Sequence, residues 1–113
     1  MTNEQVKQEC IDLINESLDM REFDQIVNKA DSIPNPSVRL DTIIGIAKKV
    51  SKFDVEKALY AIRRVPVYRY SIAQAEIAYE LAKNGDIATS SVILGCIIDD
   101  DIKQMAIENI NTL

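Results

Sequence analysis

The sequence predicts an all-α fold, a right-handed α-α superhelix of about seven antiparallel helices in helical-hairpin repeats of about 32 residues. Three observations lead there. Glycine and proline are scarce, three of each in 113 residues, fewer than the tight turns of an all-β domain require. Apolar residues recur at i, i+3, i+4 and i+7 along most of the chain, the period of a helix with one buried face. Residue pairs also recur in a fixed order at offsets of 30 to 33.

The recurrence runs as follows. Ile33-Pro34 returns as Val65-Pro66 and then as Ile98-Asp99. Phe23-Asp24 returns as Phe53-Asp54, Asp54-Val55 as Asp86-Ile87, and Ile46-Ala47 as Ile77-Ala78. Leu18, Val50 and Leu81 match in the same way. The pattern predicts one domain over residues 1–113, with repeats at approximately 3–34, 36–66 and 69–99 and a half-repeat at 100–113.

Each copy splits into two helical patterns. The first copy offers Val6, Cys10, Leu13, Ile14 and Leu18, then Ile26, Val27, Ala30 and Ile33. The second offers Leu40, Ile43, Ile44, Ala47 and Val50, then Val55, Ala58, Leu59, Ile62 and Val65. The third offers Ala73, Ile77 and Leu81, then Ile87, Ser91, Leu94 and Ile98. Ile102, Ala106, Ile110 and Leu113 form the last half-copy. The run Val92–Ile98 is rich in β-branched residues, but a lone strand would leave its backbone unpaired, so a helix is expected there.

Helix punctuation separates the patterns. Asn35-Pro36 reads as an N-cap followed by proline at the first helical position. Asn84-Gly85-Asp86 reads as a glycine stop and then an aspartate cap. Asp24, Asp54 and Asp99 or Asp100 are expected at the other second-helix or final-helix starts, and Thr2 with Gln5 as a capping box. Loops of two to six residues follow, as suits antiparallel neighbours.

Helices alternating in this way stack side by side into an α-solenoid. Small residues inside first helices (Gly45, Ala47, Ala78), alanine early in a second helix (Ala58) and proline after second helices (Pro34, Pro66) carry a further likeness. In these features the chain resembles the tetratricopeptide and HEAT class of helical repeats, without matching one family within it. The resemblance implies a scaffold that binds peptides or other proteins, and it brings no catalytic residues.

Composition narrows the function. Net charge is −5 and the pI is near 4.7, which disfavours binding to a phosphate backbone. Histidine is absent, which excludes histidine acid–base chemistry and histidine metal ligation. No paired carboxylates, activated serine or glycine-rich phosphate loop can be assigned, so a non-catalytic protein without cofactor or metal is expected. Cys10 and Cys96 lie far apart in helical patterns and read as buried free thiols, with a disulfide or redox pair as the alternative. The first residues lack the basic and apolar regions of a signal peptide, and no apolar run approaches a membrane span. A cytoplasmic protein is the resulting expectation.

Two segments stand out. Lys57 to Ala75 contains Lys57, Arg63, Arg64 and Arg69, interleaved with Tyr60, Tyr68 and Tyr70, and no acidic residue. Arg63, Arg64, Tyr68, Arg69 and Tyr70 are therefore candidates for binding a carboxylate, a phosphate or an acidic peptide. The competing reading is structural: Arg63 and Arg64 complement a helix C-terminus, and the tyrosines fill gaps between repeats. Asp99-Asp100-Asp101 reads as helix capping, because no cation-loop spacing surrounds it. Met105, Ala106, Ile107 and Ile110 give the last helix few charges, which points to burial or a homodimer contact. The expected role is a protein–protein interaction or scaffold module. A self-associating assembly protein is the alternative, and a single-stranded nucleic-acid binder is a more remote one.

Overall fold

Seven helices and no strand make up the chain: α1 (Asn3–Asp12), α2 (Met20–Asp31), α3 (Pro36–Ser51), α4 (Val55–Ile62), α5 (Val67–Lys83), α6 (Ile87–Cys96) and α7 (Asp100–Asn111). The computed structural model describes residues 1–113. The helices gather into two compact units, Met1–Arg64 and Val65–Leu113.

Side-chain caps set most helix starts. Thr2 and Gln5 form a reciprocal capping box on α1, satisfying backbone N–H groups that no helical carbonyl can reach. Asn35 caps α3 with Pro36 following, Asp54 caps α4, Asp86 caps α6 and Asp99 caps α7. Between α5 and α6, Gly85 has φ 93°, a left-handed conformation that a side chain would strain.

The α2 start differs from expectation. Asp19, not Asp24, is its N-cap, in a capping box with Glu22, and Asp24 lies inside the helix. The first helix also stops at Asp12 rather than running to Leu18. Asn15 explains the stop: its side chain accepts from the Ser17 backbone N–H at 2.9 Å and donates to the Leu13 carbonyl at 3.2 Å. Such local bonds compete with helix propagation. The α1–α2 connection, residues 13–19, is consequently longer than the other loops.

In the first unit, α1 packs on α2 and α3, α2 on α3 and α4, and α3 on α4. Phe23, Ile43, Ile46 and Ile62 are fully buried among them. Gly45 lets α1 and α3 come close, since a Cβ there would lie 2.9 Å from Cδ1 of Ile11. In the second unit, α5 packs on α6 and α7, and α6 on α7. Ala73, Ile77, Ala78 and Leu81 line the buried side of α5, and Ala106 is the buried residue of α7.

Burial recurs at a step of 32 residues in several series, though not in all: Phe23 and Val27 are buried while Ile87 and Ser91 are exposed. Positions 10, 42, 74 and 106 are buried, as are 14, 46 and 78, then 26, 58 and 90, and 33, 65 and 97. The residue types change along each series (Cys10, Thr42, Gln74, Ala106), while the burial is kept. Two of the sequence pairings join residues of unlike burial. Phe23 is buried in α2, whereas Phe53 is exposed in the loop before α4. Ile97, not Ile98, continues the Ile33 and Val65 series.

Candidate functional site

The basic segment singled out in the sequence straddles the two units. Arg63 and Arg64 close the first, with Arg63 as the C-cap of α4; Tyr68, Arg69 and Tyr70 open α5 in the second.

Within the first unit, most cations found in contact serve the fold. Arg64 Nη2 lies 3.3 Å from Asp24 Oδ1 and its Nη1 donates to Asn28 Oδ1 and lies 3.9 Å from Asp31 Oδ2. The Tyr60 hydroxyl donates to the same Asp24 carboxylate, and its ring packs on Phe23 with centroids 6.5 Å apart. That bond holds the Tyr60 proton and raises its pKa above the ordinary 10.0. Lys57 Nζ donates to the Leu18 carbonyl at 2.7 Å and pairs with Asp54. Lys49 Nζ donates to the Ile11 carbonyl in the last turn of α1 at 2.8 Å, and Arg39 to the Ile33 carbonyl just beyond α2 at 3.0 Å. Cations there complement the helix dipole. Lys29 bonds Glu9 between α2 and α1, and that bond raises the lysine pKa above 10.5.

Of the five candidate residues, Arg64 is thus engaged by two carboxylates and an amide. Arg63 is exposed and lies over the Tyr60 ring at 5.9 Å. Tyr68 is 76% exposed. Arg69 and Tyr70 are half-buried, and Arg69 Nε is buried without a hydrogen-bond partner.

The second unit holds a surface that the sequence reading assigned to its core. The expected inward face of α6 was Ile87, Ser91, Leu94 and Ile98. Of these Leu94 is half-buried and the other three are exposed; the structure turns Ser90 and Ile93 inward, followed by Ile97. Ser90 Oγ donates to the Ala78 carbonyl of α5 at 2.7 Å. Ile87 is 56% exposed, Val92 67% and Ile98 91%, and Ala88, Ser91, Gly95 and Cys96 are exposed beside them. No charged residue occurs anywhere in α6. Cys96 is accordingly an exposed free thiol, not a buried one, while Cys10 is buried and its pKa is pushed up by that burial.

No protein-family model, curated protein or solved structure matches this chain. Its chemistry therefore rests on its own residues. No three potential ligating side chains of histidine, cysteine, aspartate or glutamate gather in one place, and no helix is long and apolar enough to cross a membrane.

Proposed function

We propose that this protein is a non-catalytic interaction module of helical-repeat type, an α-α superhelix of hairpins that docks a partner protein in the cytoplasm. The observation that carries the reading is the uncharged surface of α6, open to solvent at Ile87 and Val92, with Ile98 exposed in the loop that follows the helix. Water-facing helix surfaces ordinarily carry charge, and one without any is a candidate contact site. The 32-residue recurrence of burial supports the helical-repeat part of the reading.

The docking face we favour is α6 rather than the Arg63–Tyr70 segment. Arg64, one of the three arginines of that segment, would have to give up Asp24 and Asp31 to reach a ligand. A peptide-display selection tests the reading, run in parallel on the wild-type chain and on Val92→Glu. Sequences enriched on the wild type and lost on the variant support it. The absence of any enrichment contradicts it.

Self-association is the second reading, favoured by Met105 on α7, which is 61% exposed. Sedimentation velocity over a range of concentrations separates the two. A dimer that Met105→Glu dissociates would establish self-association.

A further inference from the structure

We propose that the partner of the α6 face is a basic amphipathic helix: an apolar strip with lysine or arginine at both ends. This rests on the interaction-module reading and adds the chemistry of the partner.

Corresponding positions in the three second helices show what is unusual about α6. At 32-residue spacing, α2 presents Asp24, Asn28 and Asp31, and α4 presents Glu56, Tyr60 and Arg63. Their counterparts in α6 are Ala88, Val92 and Gly95, all exposed. Polar and charged positions in two copies are thus small or apolar in the third. The surface is open at Gly95, where an added Cβ would meet nothing within 4 Å. Small residues at a crossing let a second helix approach at the short end of the roughly 8–10 Å interaxial range.

Charge identifies the occupant. The second unit holds three basic residues against seven acidic ones, a net −4 out of the −5 of the whole chain. Carboxylates flank both ends of α6. Asp86 caps the start of α6, and Asp99, Asp100 and Asp101 follow its end. The strip between them is about 15 Å long, the length of a ten-residue helix. A helix laid along it with apolar anchors at i, i+3, i+4 and i+7 would bring basic ends to both carboxylate groups. A second copy of the chain would instead set −4 against −4, and an acidic segment would be repelled in the same way.

The test uses two helical peptides of about 16 residues with the same leucine and alanine face, one with lysines at both ends and one with glutamates. Fluorescence anisotropy reads their binding to the full chain. The lysine peptide is expected to bind at least about tenfold tighter than the glutamate peptide, by a margin that narrows with salt. Val92→Glu is expected to weaken the lysine peptide by about tenfold or more, since it places a charge in the apolar strip. Asp100→Lys with Asp101→Lys leaves the Asp99 cap in place and should reduce or reverse the preference between the peptides.

Equal or tighter binding of the glutamate peptide would overturn the inference and leave the interaction-module reading standing. Unchanged binding by the well-folded Val92→Glu variant would overturn it too, as would a dimer that this variant dissociates. If neither peptide binds, the inference falls, and the display selection, which assumes no charge pattern, decides the broader reading separately.

Discussion

Ser90 Oγ donates to the Ala78 carbonyl at 2.7 Å, and this bond lies on the side of α6 that faces α5. The α6 sequence, Ile-Ala-Thr-Ser-Ser-Val-Ile-Leu-Gly-Cys, is nearly apolar all round. Periodicity therefore leaves its inward face open, and the fit of a small hydroxyl against α5 helps to decide it. Ser90→Ala should cost about 1 kcal/mol, one lost buried hydrogen bond. Ser90→Leu should cost about 1–3 kcal/mol by overpacking against α5. Urea unfolding followed by circular dichroism measures both.

The α2–α4 contact in the first unit turns on Asp24, which accepts from both Tyr60 and Arg64. Arg64→Ala should destabilise by about 1 kcal/mol, the range of a partly solvated ion pair, and the loss should shrink in high salt. The readout is the urea midpoint at low and high salt. An unchanged midpoint in both would place Arg64 outside the stabilising network and return it to the pool of ligand-binding residues.

Alkaline pH should weaken the first unit. Tyr60 and Lys29 both have pKa values raised above their ordinary 10.0 and 10.5 by hydrogen bonds to Asp24 and Glu9. With a raised pKa the native state holds protons that the unfolded state releases. The stabilisation is therefore complete below about pH 10 and is lost as pH climbs through the raised values. Unfolding midpoints measured between about pH 9 and 11.5 should fall, and less steeply in Tyr60→Phe.

The two thiols should differ sharply. Cys96 is exposed, so a chromogenic thiol reagent should modify it in the native protein. Cys10 is fully buried, with a raised pKa, and should react only on unfolding. Two fast-reacting thiols would contradict the packing of α1.

Much of the fold was legible because capping chemistry and amphipathic spacing agree there. Asn35-Pro36, Asp54, Asp86 and Thr2 with Gln5 all sit where the sequence placed them. The α2 start has its own signal in the sequence, the Asp19 and Glu22 capping box, while the pairing of Phe23-Asp24 with Phe53-Asp54 points instead to Asp24. The surface was less legible. A basic run such as Arg63-Arg64 looks like a ligand site until its partners, Asp24 and Asp31, are brought in from residues far away in sequence. An apolar run such as Val92–Ile98 looks like core until packing shows which side is covered.

The proposed docking face is α6. Amide hydrogen exchange on the full chain, with and without the lysine-ended peptide, tests that most directly. Slowed exchange concentrated in residues 87–98 is the expected result. Slowing confined to the Arg63–Tyr70 segment, or none within 87–98 at saturating peptide, would contradict it.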